Sequence, residues 1–433
     1  MILNKIVKKP RSIEGVFRLP PDKSISHRVA LFNAIAGGSA QIFNYSTSLD
    51  CQSTLACLTQ LGASIESHTT PNQQHNIKIH QAVLNETSKL LDAGNSGTTL
   101  RLLTGFLASQ PFSTTITGDS SLRKRPMGRI IEPLTKMGAN ISGESNNTLA
   151  PLNISGQQLN GIEYYMPIAS AQVKSAILLA GLFANGKTIV HQPLASRNHT
   201  ELLLASMGAS IVVDDLTVSI ESKGKLQACD ITIPGDISAA SFWLVAGTIH
   251  PNAKITLEGV GANPSRIQFI ETLQAMGARI TINPYTHLNQ QEPVCDLTIE
   301  SSELRSISIG RELIPGLIDE IPALALAACF AEGTSTIEDA GELRFKESDR
   351  IKTTVSELSK LGATIRELPN GIKISGKPTL DGAICSSHGD HRIAMMTAIA
   401  GLLSSGETIV QEAESASVSD PTFWHRIDEI QSS

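Results

Sequence analysis

One passage recurs six times along this chain. A polar, helix-starting residue opens about a dozen small apolar residues. A turn follows, and then a short strand beginning at an isoleucine. The starts are Asp22, Asn95, Ser170, Asp236, Asp319 and Asp390. The isoleucines are Ile42, Ile116, Ile189, Ile255, Ile337 and Ile409, spaced about 70 residues apart. A second signature follows each of the first five strands: Leu61-Gly62-Ala63, Met137-Gly138-Ala139, Met207-Gly208-Ala209, Met276-Gly277-Ala278 and Leu361-Gly362-Ala363. The sixth copy falls at Ile430-Gln431. A chain built this way must form six similar αβ units, and it can aim several helix N-termini at one place. Such termini attract anions, because their N–H groups are unpaired and the helix dipole is positive there.

The repeat Ser170–Gly208 shows how one unit is expected to work. Ser170 caps a helix. The run Ala176–Ala184 is apolar nearly all round, so this helix is buried. Asn185-Gly186 ends it in a left-handed turn. Lys187–Val190 is a β-branched strand, and a polar connector carrying Arg197 leads to a second helix, Thr200–Met207. Gly208 stops that helix before the strand Ala209–Val213. The expected architecture is buried helices inside a jacket of exposed helices and sheets.

At 433 residues, six units divide naturally into two domains of three. Two look-alike strand exits, Leu19-Pro20-Pro21-Asp22 and Ile233-Pro234-Gly235-Asp236, place the boundaries near 21 and 235. One domain is then 22–234, inserted into another made of 1–21 and 235–433. Aromatic residues are only 4% of the chain, so both cores must pack from aliphatic and small side chains. The six cysteines form no C-x-x-C pair, which favours a reducing cytoplasm over a disulfide framework or a zinc site. No apolar run approaches a membrane span; Ala176–Ala184 and Ala323–Phe330 are among the longest. A net charge of −6 argues against nucleic acid as a partner. Lysines and arginines nevertheless crowd the repeated helix starts and their connectors, which suggests a small anionic ligand.

The segments that carry chemistry each have a bland reading beside the functional one. In Asp22–Arg28, Ser24 and Arg28 share a helical face with Lys23 beside the N-terminus; this is an oxyanion site or a capped, solvated turn. Asn95–Thr99 resembles a phosphate loop but lacks the nucleotide-binding motifs, although Gly97 permits close backbone approach. Arg123-Lys124-Arg125-Pro126 is a charged loop whose proline fixes the backbone after Arg125. Ser170, Ala171 and Gln172 offer hydroxyl, N–H and amide donors at a helix start, and Arg197 precedes another. In Arg344–Arg350, Lys346 and Arg350 are one turn apart with Glu347 beside them: an exposed ion network, or a cation pair holding an anion next to a proton donor. Asp319 is a helix cap or a general base. His388 and His391 lack the carboxylate or thiolate company of a metal site.

Together DKSISHR, GNSGTTLRLL, SLRKRP, SAQVKSAILLAGL, SRNHTE, ELRFKESDR and DHRIAM stand in an order that resembles the 5-enolpyruvylshikimate-3-phosphate synthase family of enolpyruvyl transferases over essentially the whole chain. The resemblance implies an α/β fold, a two-domain inverse α/β barrel with three βαβαββ units per domain and the active site in the cleft between domains. It implies transfer of the enolpyruvyl group of phosphoenolpyruvate to shikimate 3-phosphate, with release of phosphate and no metal or other cofactor. Shikimate 3-phosphate would be held by Lys23, Ser24, Arg28, Ser170, Ala171, Gln172, Arg197, Asp319 and Lys346. Phosphoenolpyruvate would be held by Lys23, Gly97, Arg125, Gln172, Arg350 and Arg392. Asp319 would take the hydroxyl proton, and Glu347 or Lys23 would protonate the methylene carbon. A cytoplasmic monomer is expected, with these small molecules as its only partners.

The chain also departs from the family pattern. Many members carry a lysine near the C-terminus, whereas Gln411–Ser433 has none. Leu102 follows Arg101 where some members have proline. Gly97 is the small residue that leaves room for glyphosate in sensitive members, while Arg197–Glu201 and Ser170–Lys174 lean toward the second glyphosate class. The rival enolpyruvyl transferase acting on UDP-N-acetylglucosamine uses a loop cysteine, and Gln110–Arg129 contains none. A catalytically dead binding protein on the same repeats is the other alternative.

Overall fold

The computed structural model describes residues 3–71, 74–285 and 292–432. Two compact units emerge. One is Lys23–Ile233, with Glu292 grouped to it; the other takes the flanking segments, up to Asp22 and from Pro234 onward.

Each unit holds three buried helices. In the first they are Lys23–Ile35, Gly97–Leu107 and Ala171–Gly181. In the second they are Ile237–Ile249, Ile321–Phe330 and His391–Leu403. Every residue of His391–Leu403 is buried, as is every residue of Ile321–Phe330 except Phe330. Helices as apolar and as short as Ile321–Phe330 need protein packed around them on every side. Their small residues let the backbones approach closely. At Gly105 a Cβ would run into the backbone of Ala176 on the neighbouring helix, so only glycine fits.

Around each trio stand three sheets, one per repeat. The pattern is constant: the strand after the inner helix lies between a parallel neighbour and an antiparallel one. In the third repeat Lys187–His191 pairs parallel with Glu163–Tyr165 and antiparallel with Thr217–Glu221, which in turn pairs with Ser210–Asp214. Three repeats borrow strands from far along the chain. Ala40–Phe43 takes Ile231–Thr232 as its parallel neighbour, and Ala253–Gly261 takes Ile13–Arg18. In the sixth sheet Lys5–Lys8 occupies the antiparallel place beside Glu407–Gln411. Of these, Ile13–Arg18 and Ile231–Thr232 lead directly into the two look-alike exits, which pair with each other. Asp22 N–H donates to the Pro234 carbonyl and Asp236 N–H to the Pro20 carbonyl, both at 2.8 Å.

The Gly-Ala signature has one physical job in all five copies. Gly62, Gly138, Gly208, Gly277 and Gly362 all have positive φ, between 78° and 108°. The following alanine N–H reaches back to close the helix end, as Ala63 does to Leu58 O at 2.9 Å.

Several local expectations are corrected. The isoleucines lie inside their strands rather than at the start: Ile42 is the third residue of Ala40–Phe43, because pairing already begins at Ala40 with Ile79. Ser96, not Asn95, caps its helix, its Oγ accepting from Thr99 N–H at 3.1 Å; Asn95 is engaged with Asp119 and Arg125 instead. Glu320, not Asp319, stands at the cap position of Ile321–Phe330, because a short helical turn, Ile314–Leu317, runs up to it. The helix after Ser170 ends at Gly181, a poor helix former, short of Asn185-Gly186. The helix after Arg197 is His199–Ser206.

Candidate active site: cations at the starts of the buried helices

Within the unit Lys23–Ile233, the starts of the three inner helices carry the charged groups. Lys23, the first helical residue, places Nζ 3.0 Å from Asp50 Oδ2, with both side chains mostly buried. Arg28 lies one turn on, on the Ser24 face. Its Nη1 donates to the Ser24 carbonyl at 2.9 Å, its Nε to Thr200 Oγ1 at 2.8 Å and its Nη2 to Ser175 Oγ at 3.0 Å. Between them His27 is buried, its Nδ1 bonded to Thr54 Oγ1 at 2.6 Å. Burial, then the charges of Lys23 and Arg28, hold its pKa well below the usual imidazole value, so the ring is neutral.

The second helix start brings two more guanidinium groups together. Arg101 Nη1 donates to Gln172 Oε1 at 2.6 Å, and Gln172 Nε2 donates to Thr98 Oγ1 at 2.9 Å. Arg125 is buried and its Nη2 meets Asn95 Oδ1 at 2.7 Å. Gly97 lies against both arginines; a Cβ there would stand 2.7 Å from Arg101 Nη1 and 3.5 Å from Arg125 Nη1. Ser170 caps the third helix through Val173 N–H, with Ala171 and Gln172 in its first turn. Arg197 sits half-buried in the connector before His199–Ser206.

In the other unit a second cluster centres on Arg350, which is buried among three carboxylates. Nε lies 2.9 Å from Asp390 Oδ2, Nη2 lies 2.6 Å from Glu347 Oε2, and Nη1 lies 3.3 Å from Asp319 Oδ1. Burial opposes its charge, but Asp390, Glu347 and Asp319 outweigh that, and its pKa rises above the ordinary value. Asp319 Oδ1 also receives Lys346 Nζ at 3.1 Å. Arg392 is buried over the Phe242 ring, its Nη1 donating to the Ser238 carbonyl at 3.0 Å. Ser238 Oγ in turn bonds Glu320 and Arg266, both fully buried.

The structure thus brings Lys23, Ser24, Arg28, Ser170, Ala171, Gln172, Gly97 and Arg125 to helix starts of one unit, and Asp319, Lys346, Glu347, Arg350 and Arg392 to one cluster of the other. Sequence reasoning missed the acidic partners. Asp50 sits 27 residues from Lys23 on a different helix, with no local signal. Asp390 was legible as a helix start but not as the anchor of Arg350. Contrary to the sequence reading, His388 does have a carboxylate partner: its Nε2 lies 2.7 Å from Glu357 Oε1, a side chain 31 residues away that no local motif announces. Among the described residues no group of three or more His, Cys, Asp or Glu side chains could hold a metal ion. No described helix is long and apolar enough to cross a membrane. Five of the cysteine thiols, Cys51, Cys57, Cys295, Cys329 and Cys385, are pushed up to about 12 by burial, so none is a ready nucleophile.

Buried inner helices wrapped by small mixed sheets define an α/β protein, with lysine, arginine and hydroxyl side chains gathered near several of the helix starts. The family profile of EPSP synthase (3-phosphoshikimate 1-carboxyvinyltransferase) matches residues 7–427. The chain belongs to the EPSP synthase family. A relative from Bacillus subtilis (strain 168), named 3-phosphoshikimate 1-carboxyvinyltransferase, is 47% identical over 423 residues, covering 98% of each chain. A relative of the same name from Thermoanaerobacter sp. (strain X514) is 47% identical, covering 98% of this chain and 99% of its own. A solved EPSP synthase from Acinetobacter baumannii superposes with a TM-score of 0.86 at 39% identity, covering 99% of this chain and 98% of that one. The fold is the two-domain inside-out α/β fold of these structures.

Proposed function

We propose that this protein is a 3-phosphoshikimate 1-carboxyvinyltransferase that joins phosphoenolpyruvate to the 5-hydroxyl of shikimate 3-phosphate. The observation that carries the reading is the whole-length match to relatives named for this reaction. Both substrates are polyanions that repel each other, so catalysis must first hold them together. Lysines, arginines and helix N-termini fixed before the ligands arrive supply that attraction without reorganising during the reaction.

In the proposed mechanism the 5-hydroxyl oxygen bonds to C2 of phosphoenolpyruvate. Asp319 takes the hydroxyl proton, while C3 gains a proton from Glu347 or Lys23. The tetrahedral intermediate then loses a proton from C3 and expels phosphate from C2, leaving the enolpyruvyl ether. Shikimate 3-phosphate draws on Lys23, Ser24, Arg28, Ser170, Ala171, Gln172, Arg197, Asp319 and Lys346. Phosphoenolpyruvate draws on Lys23, Gly97, Arg125, Gln172, Arg350 and Arg392. Six free thiols, five of them buried, fit a cytoplasmic protein, and a monomer suffices for this chemistry.

Purified protein given both substrates should release inorganic phosphate without added divalent metal. Turnover of UDP-N-acetylglucosamine in place of shikimate 3-phosphate would overturn the assignment.

A further inference from the structure

Two opposite charges lie deep in the unit Lys23–Ile233. Lys174 Nζ stands 2.5 Å from Glu201 Oε1, and the side chains are only 1% and 4% exposed. An ion pair so buried is not explained by stability, since well-packed apolar side chains of similar volume usually do as well or better. Burial depresses the Lys174 pKa, Glu201 works against that, and Arg28 adds to it. Glu201 Oε2 is itself buried without a hydrogen-bond partner, so the pair is not optimised for its own sake.

What the pair connects is more informative. Lys174 belongs to the helix capped by Ser170, about one turn beyond Ser170 and Ala171. Glu201 belongs to the helix that follows Arg197. Lys174 Nζ also reaches the carbonyl of Ser196, the residue before Arg197, at 3.3 Å. The residues beside them close the arrangement. Ser175 Oγ bonds Thr200 Oγ1 at 2.6 Å and the Ala171 carbonyl at 2.7 Å, and both hydroxyls receive Arg28. Three segments that carry shikimate 3-phosphate ligands in the reading above are therefore locked to one another from behind.

We infer that Lys174 and Glu201 are positioning residues for shikimate 3-phosphate: they set the spacing between the Ser170 helix start and the Arg197 connector. This inference rests on the proposed function. The pair touches no substrate; it acts through the Ser196 carbonyl and the two helices.

Steady-state kinetics for both substrates test it, in Lys174→Met, Glu201→Gln and the volume-matched double variant Lys174→Met/Glu201→Leu. Each variant should raise KM for shikimate 3-phosphate about tenfold or more, with KM for phosphoenolpyruvate changing less than about twofold. The double variant should recover thermal stability yet keep the raised KM, because nothing then holds the Ser196 carbonyl. If the singles fail to fold, the double variant decides. A double variant with the wild-type KM, or variants whose kcat and both KM values shift together, would overturn the positioning role while leaving the enzyme assignment intact. Wild-type protein that releases no phosphate would overturn both.

Discussion

Arg350 grips Asp390 through two hydrogen bonds, Nε to Oδ2 at 2.9 Å and Nη2 to Oδ1 at 3.2 Å. The same carboxylate caps the helix His391–Leu403, Oδ1 accepting from Arg392 N–H at 2.9 Å, and it receives Ser348 Oγ. One buried side chain thus sets two arginines assigned to phosphoenolpyruvate. Arg350 is held by its guanidinium and Arg392 by the start of its helix. Asp390→Asn keeps a cap oxygen but removes the charge facing Arg350. It should cost about 3 kcal/mol in urea denaturation and raise KM for phosphoenolpyruvate. A loss below about 0.5 kcal/mol would show that Glu347 and Asp319 suffice to hold Arg350.

Asp319 joins Lys346 and Arg350 through a single oxygen. If it is the base, Asp319→Ala should lower kcat by about 100-fold to 10,000-fold, the range for loss of general base catalysis. Calorimetric affinity for shikimate 3-phosphate should fall much less. Near-normal turnover in this variant would move the base elsewhere.

Gly97→Ala tests close approach. The new methyl would stand 2.7 Å from Arg101 Nη1, so the guanidinium must shift and its 2.6 Å bond to Gln172 must lengthen. Because the obstacle is the far end of a side chain, folding should lose no more than about 1 kcal/mol by denaturant titration. KM for phosphoenolpyruvate should rise. An unchanged KM would mean that this arginine and amide do not contribute to the site.

His27 predicts a pH dependence of stability. Its folded pKa is depressed below the ordinary 6.5, so the unfolded chain binds the proton more readily. Stability is therefore fully present above about pH 6.5 and is lost as pH falls below it. Burial depresses His75 and His250 in the same direction. Thermal midpoints measured from pH 8 downward should fall below about pH 6.5, and His27→Gln should flatten part of that slope. Parallel curves for the two proteins would show that His27 takes up its proton equally well in the folded and unfolded chain.

The periodic architecture was legible because its signals are local. Buried helices read as apolar runs, and Gly62 and its four counterparts announce helix ends whose positive φ only glycine adopts easily. Helix starts were legible where the cap is the first polar residue, as at Ser170, Asp236 and Asp390. They were misread by one residue at Asn95 and Asp319, where neighbouring backbone decides which residue takes the cap. The cations of the site could be read from their motifs. Their carboxylate partners could not, because Lys23–Asp50 and Arg350–Asp390 are tertiary pairs formed across 27 and 40 residues. The strand exchange was equally silent: the adjacent apolar residues Ile6 and Val7 in Lys5–Lys8 do not say which sheet they will join.

That exchange reaches from one end of the chain to the other, since Lys5 pairs with Val410. During synthesis the first strand must wait, unpaired, until about four hundred further residues have left the ribosome. The intervening segment Lys23–Ile233 contains all its own sheets and can settle long before. Maturation is therefore ordered in time, with the inner passage first and the two ends last, and Val7, fully buried in the finished fold, is left open to water until its final sheet is made.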